Sequence, residues 1–494
     1  MEFDLNSLHL MSLQELAIRR LAVQLCNQPQ MLAYAVKIDP DARYEKEHET
    51  TMYDLLKDLL TEVPLPPSMK HELFSLMKSV SREIIKWLEL HECYLDPYNL
   101  NVCEMENLEH LCWTSLGSVD YRETAVALIR HKKLGMTQRY KLACLYCLEE
   151  DIIELWRKMP EKSRKSYYDA DPANLKQPDL VIIWTFILEG EVDNFLRYLA
   201  ERGIFRPSMN HLAFECAATR GYRTAAQYFY EKLTFDERED LLLNTAISVA
   251  GRRSNDYYFY MDERQQFGDV LCYLMSVMQP EQLRTLISRH PCETLKCVLD
   301  WPRQDAFIEL AKSVFPGLSK PTYIRVLSYL SRNSSWGYNH SKIFQEFFML
   351  SPSDLSYALQ IYNDMLQDFF RSDDIETVKF LFRRMDDQEK DAHVLGSAGR
   401  SIYYELVKEG KWDLMKLYLE EVQMSRGDRR RIVKYFSRSR ALRLEKEEFQ
   451  RFKDFMNNTD FDIQEEESRG LETVRKCLMP LKSVYDKCKY FLFR

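Results

Sequence analysis

From about residue 115 onward, the chain alternates apolar stretches with short polar turns. In VDNFLRYL, the apolar residues Val192, Phe195, Leu196 and Leu199 fall at i, i+3, i+4 and i+7. That spacing lines one face of a helix. Ile375, Val378, Leu381 and Phe382 behave in the same way. Each unit reads as an apolar helix, a turn and a second apolar helix. The second helices are expected near Tyr121, Ile152, Val192, Thr224, Asp269, Ala306, Ser341, Ile375 and Trp412, in steps centred near about 35 residues. One helix pair is too small to bury its own stripe, so neighbours must stack. The pattern predicts an all-α helical-repeat solenoid over 91–460. An N-terminal helical module would occupy 1–90, and a C-terminal capping helix or tail 461–494. A non-repeating helical bundle is the alternative.

Composition narrows this further. Glycine numbers only 14 in 494 residues, too few for the frequent turns of a sandwich, barrel or propeller. No GxGxxG or GxxxxGK[ST] occurs, which removes the Gly-rich phosphate loops. The net charge of −8 gives no general attraction to nucleic acid. No apolar run is long enough to span a membrane. The acidic N-terminus, with Glu2 and Asp4, does not read as a signal peptide. A cytoplasmic, possibly nuclear, protein with mostly reduced cysteines is expected. Two polar segments, 251–266 and 331–340, break the repeat; the first reads as an insertion or a lengthened helix.

The segment His211-Leu212-Ala213 to Gly221-Tyr222, followed by TAAQYFYEKL, resembles an ankyrin repeat. Trp184 to Gly203 and Tyr403 to Glu421 resemble it too, with Gly190 and Gly410 at the turn. The resemblance implies ankyrin-like helix pairs and a protein-binding role. The Thr-Pro-Leu-His opening and the Gly-Ala-Asp finger of that family are absent.

The N-terminal module carries the sharpest motif. Ser12 and Glu15 form the pattern of a capping box before an amphipathic helix. Leu13, Leu16, Ala17 and Leu21 then share one helical face. The segment resembles the elongin-binding box of SOCS-box and VHL-box proteins. Val63-Pro64-Leu65-Pro66 resembles the cullin box of the same families, with an amphipathic helix expected behind it through Met69, Leu73 and Leu76. The resemblance implies a substrate receptor of a cullin–elongin ubiquitin ligase, with elongin B/C and a cullin as partners. A structural reading competes, with Leu13, Leu16 and Leu21 as core and 63–67 as a plain linker.

Other chemistry is sparse. Cys144 and Cys147 form a CxxC inside an apolar run, where core is the expected role. His91, Cys93, Cys103, His110 and Cys112 cluster, but their spacing fits no zinc finger. No catalytic signature is recognisable, so no catalytic residue, metal or cofactor is assigned. Residues 426–443 hold eight Lys or Arg against one Asp. Arg429, Arg430, Arg431, Lys434, Arg438 and Arg440 form a basic patch that suits an acidic partner or nucleic acid. The competing reading is a solvated helix with an apolar stripe at Ile432, Val433, Tyr435 and Phe436. The expectation is a non-catalytic scaffold or adaptor, with the ligase receptor and basic-patch binding as alternatives.

Overall fold

The computed structural model describes residues 11–38, 46–95, 108–131, 134–168, 179–254, 261–334, 338–350, 359–422, 424–439 and 442–457. The expected cap at 461–494 lies outside them. Among the described residues the fold is all-helical, with no strand. A single isolated bridge pairs Trp113 with Val119. No described helix is long and apolar enough to cross a membrane. The chain divides into two compact units, 1–350 and 351–494.

The first unit opens with α1 (Leu13–Cys26), α2 (Pro29–Lys37), α3 (Lys46–Thr61) and α4 (Pro67–Leu95). The first three helices all pack on α4. Leu73, Met77, Val80, Trp87 and Leu88 of α4 are buried. The boundary drawn at residue 90 falls inside this helix. Physically, α4 serves two neighbours: it also packs on α6 (Met136–Leu145), so the N-terminal helices share their core with the repeats.

All nine expected second helices fall on helical segments. After α5 (Tyr121–His131), α6 pairs with α7 (Glu149–Lys158), which is followed by α8 (Glu161–Tyr168). Next come the pairs α9 (Asp179–Leu188) with α10 (Val192–Glu201), and α11 (Met209–Thr219) with α12 (Arg223–Lys232). Then α13 (Phe235–Ser254) pairs with α14 (Met261–Val277). Beyond α15 (Pro280–Arg289), α16 (Pro291–Leu299) pairs with α17 (Phe307–Val314), and α18 (Lys320–Arg332) with α19 (His340–Met349). First helices pack on first helices, α6 on α9, α9 on α11 and α11 on α13, and second helices likewise, α12 on α14 and α17 on α19. The polar segment 251–266 is accommodated by lengthened helices: α13 and α14 reach into it from both sides.

α9 shows the physics of stacking. Its sequence DLVIIWTFIL is apolar almost all round, which suits a helix with neighbours on every side. Leu180, Val181, Ile182, Ile183 and Trp184 are all buried.

The second unit contains α20 (Leu359–Arg371), α21 (Ile375–Phe382), α22 (Asp387–Leu395), α23 (Ser397–Lys408), α24 (Trp412–Val422), α25 (Arg426–Phe436) and α26 (Lys446–Met456). Here α20 packs on α21 and α23, and α24 on α21 and α23.

One turn recurs inside the pairs. Gly190, Gly221 and Gly410 are left-handed, with φ of 73°, 85° and 68°. The amide three residues past each first helix reaches back five residues: Glu191 to Phe186, Tyr222 to Ala217, Lys411 to Leu406. This is the Schellman closure, which satisfies helix-end carbonyls. Cys147 and Asp373, at φ of 50° and 56°, make the same turn without glycine. Leu148 donates there to Ala143, and Asp374 to Phe369.

Candidate functional site

α1 begins at its capping box. The Ser12 amide donates to Glu15 Oε2 at 2.7 Å, and the Glu15 amide to Ser12 Oγ at 3.2 Å. The buried face of the helix is Ile18, Ala22, Leu25 and Cys26, spaced i, i+4, i+7 and i+8. Arg19 is buried too and pins the helix. Its guanidinium donates to the Leu116 carbonyl at 3.0 Å and lies 4.7 Å from the Trp301 ring centroid. Leu13 is 86% exposed. Ala17 is exposed, and Leu16 and Leu21 are half-buried. The competing expectation that Leu13, Leu16 and Leu21 form core is therefore corrected. Ile18 and its row occupy the core, Leu13 faces out, and Leu16 and Leu21 lie half-buried at its edge.

Val63 to Pro66 is the loop between α3 and α4. Pro64 and Pro66 are exposed, and Val63 and Leu65 half-buried. The helix behind it starts at Pro67, and the Lys70 amide closes the first turn on the Pro66 carbonyl at 3.0 Å. Leu73 and Leu76 are fully committed to the core, and Met69 is half-buried. This helix therefore spends its apolar face inside the protein. The two box segments sit on packed elements, since α1 packs on α4.

The basic patch is smaller than its sequence. Arg429 is buried, because Arg429, Ile432 and Phe436 share the inner face of α25. Arg431 pairs with Asp428 at 3.1 Å. Arg430, Lys434 and Arg438 are exposed. Arg440 lies outside the described residues. Of the competing stripe, Ile432 and Phe436 are buried, and Tyr435 instead lies under the Arg400 guanidinium at 4.4 Å.

Cys144, Cys147 and His91 are buried, and His110 and Cys112 are half-buried. His91 is buried between the Trp87 carbonyl at 2.6 Å and the Tyr146 hydroxyl at 2.9 Å, and burial pushes its pKa down to about 4. His110 stacks on His131. Cys103 and the Cys93 side chain are outside the description. Among the described residues no group of His, Cys, Asp and Glu converges as a metal site.

The sequence did not reveal a cleft of about 550 Å³ in the first unit. Its wall includes Glu83, Tyr121, Tyr222, Asp269, Cys272 and Arg303. Asp269 and Arg303 pair across it at 2.6 Å. Beneath it Arg253 pairs with Asp300 at 2.8 Å, and the Tyr329 hydroxyl donates to Asp300 at 3.0 Å. Burial raises the Glu83 carboxyl pKa, against the opposing pull of Lys86 at 2.7 Å. These residues are distant in sequence and obey no local period. The one signal was the polar segment 251–266 that breaks the repeat, which contains Arg253 and ends at Gln266 in the cleft wall. No family model matches the chain, and no curated protein shows a significant match to it.

Proposed function

We propose that the chain is a non-catalytic protein-interaction α-solenoid, built of ankyrin-like helix pairs, that recruits an elongin-type adaptor through α1. In this reading it is a substrate receptor of a cullin–elongin ubiquitin ligase. One observation carries the proposal: in the row Leu13, Leu16, Ala17 and Leu21, Leu13 is 86% exposed and Ala17 is exposed, while Leu16 and Leu21 are only half-buried. A large apolar residue in water at the head of a well-capped helix is a ready anchor for a partner's pocket. Ala17 lets a partner backbone approach closely. The stacked pairs and their repeated Schellman turns support the solenoid part, and supply an extended surface for a substrate. For a cullin, the free surface is the loop Val63–Pro66, since the helix after it is spent on the core.

The test is affinity capture of tagged full-length protein beside Leu13→Asp. Recovery of elongins B and C by wild type, with loss in the variant, is the expected result. Their absence from both overturns the ligase reading and leaves an interaction solenoid.

A further inference from the structure

The outer face of α25 is held in a fixed orientation. Arg429, Ile432 and Phe436 are buried on its inner face, and the Phe436 ring meets Phe452 of α26 edge-on, with centroids 5.1 Å apart. Ser425 caps the helix, its Oγ accepting from the Asp428 amide at 3.1 Å. A row of cations turns outward. Arg430 and Lys434 are four residues apart, and Ser437 keeps helical φ and ψ of −64° and −19°, so Arg438 extends the row by another four. All three are exposed. Among the described residues, none of these three side chains makes an ion pair or a hydrogen bond. The acidic charge nearby is engaged elsewhere. Asp428 accepts from the Ser425 hydroxyl at 2.7 Å and pairs with Arg431 at 3.1 Å. Asp391 of α22 neighbours Asp428, where the two like charges oppose each other. Those acids therefore gather at the N-terminal turn of α25, and the unpaired cations run toward its other end.

We propose that Arg430, Lys434 and Arg438 form a docking surface for an extended, acidic protein segment. Spacing sets the chemistry. Four residues of α-helix rise about 6 Å. Alternate residues of an extended chain point to one side and repeat at about 6.6 Å. A segment with acids at every second position therefore meets the row in register, one carboxylate to each cation. Unpaired charge of one sign steers and orients a partner of the other. A nucleic acid fits this surface less well. Single strands gain much of their affinity by stacking bases on open aromatic rings. Tyr435, the aromatic residue exposed on this helix, already lies under the Arg400 guanidinium, 4.4 Å from the ring centroid. The chain's net charge of −8 also opposes a long polyanion that outruns the patch. The surface involves no residue of α1, so it stands or falls apart from the ligase reading.

The test follows the fluorescence anisotropy of a labelled decapeptide of alternating Glu and Ala as full-length protein is added. The expected result is binding that weakens at least about tenfold between about 0.01 M and about 1 M salt, as the Debye length shrinks from about 30 Å to about 3 Å. The triple change Arg430→Gln, Lys434→Gln and Arg438→Gln should weaken low-salt binding at least about tenfold and leave the circular dichroism melt unchanged. In the wild-type protein, a carbodiimide should couple the peptide chiefly to Lys434, the one amine in the row. Absence of binding at low salt, equal binding by the triple variant, or coupling spread evenly over the exposed lysines overturns the proposal. Tighter binding of a single-stranded oligonucleotide of the same charge overturns it too.

Discussion

Arg253 and Asp300 form an ion pair at 2.8 Å with side chains only 3% and 2% exposed. Burial opposes the Arg253 charge, and Asp300 overrides that opposition and keeps it. The pair joins the end of α13 to the residue just after α16, with Tyr329 of α18 donating to the same carboxylate. Removing one partner strands the other charge away from water. Asp300→Ala should lower the unfolding free energy by about 3–5 kcal/mol, whereas the double change Arg253→Met with Asp300→Leu should cost much less. Urea denaturation of the three proteins checks this. Equal losses in single and double variants would count against it.

Gly268 sits in α14 directly over that pair. A Cβ there would overlap the Asp300 carboxylate and come within 2.5 Å of Arg253 Nη1. In an exposed helix interior, Gly→Ala stabilises by roughly 0.5–1 kcal/mol. Here the sign should reverse, because the added carbon pushes the two charges apart. Gly268→Ala should lower the melting temperature, and a rise would refute the close approach.

The two faces of α1 should respond oppositely. Leu13→Asp changes a side chain already in water, so stability should move by less than about 0.5 kcal/mol. Ile18 is 3% exposed, and Ile18→Ala should cost about 2–5 kcal/mol. Only Leu13→Asp should abolish elongin capture while leaving the circular dichroism melt unchanged. A destabilised Leu13→Asp would mean that this face is packed.

Asp373 holds a left-handed conformation that glycine adopts freely. Asp373→Gly relieves about 1–2 kcal/mol of backbone cost. It gives up the 2.6 Å pair with Lys411, in which Asp373 is 59% exposed and which is therefore worth only about 0–1 kcal/mol. The net effect should be stabilising by several tenths of a kcal/mol or more. At Gly190 no atom lies within 4 Å of an added Cβ, so Gly190→Ala reports the backbone alone. It should cost about 1–2 kcal/mol. Thermal melts of both variants give the two signs.

Acid should weaken both units. His91 in the first and His393 in the second are buried and neutral, with pKa values pushed down by burial to about 4. The unfolded chain binds protons near the ordinary value of about 6.5. Between those values the unfolded state carries more protons, so stability rises with pH across about 4 to 6.5 and is full above that range. Each histidine contributes on the order of 1–3 kcal/mol to this slope. His393 lies among the rings of Phe382 and Tyr418, so His393→Phe should flatten the pH dependence of the second unit. An unchanged slope would remove His393 as a source.

The helix pairs were legible because their information is local. Val192, Phe195, Leu196 and Leu199 announce one face within eight residues, and Gly190, Gly221 and Gly410 mark the turns. Cys147 and Asp373 make the same turn with residue types that carry no such signal, so spacing alone located those two. On α1 the capping box was readable. Which row faces inward was not, because Leu13–Ala17–Leu21 and Ile18–Ala22–Leu25 are both apolar rows. The partner helix decides, and α4 took Ile18. The cleft was illegible for a different reason. Glu83, Tyr222, Asp269 and Arg303 meet only after four separate elements have packed.

α9 sets a rule for anyone dividing this chain. A fragment that starts after Leu145 or ends before Met209 strips away α6 or α11, the first helices flanking it. Leu180, Val181, Ile183 and Trp184 are buried in the intact protein. Such a fragment carries them in the one helix least able to be rescued by repacking, since no side of it is polar. Separating the chain within this stretch should therefore expose a contiguous apolar surface, an aggregation liability.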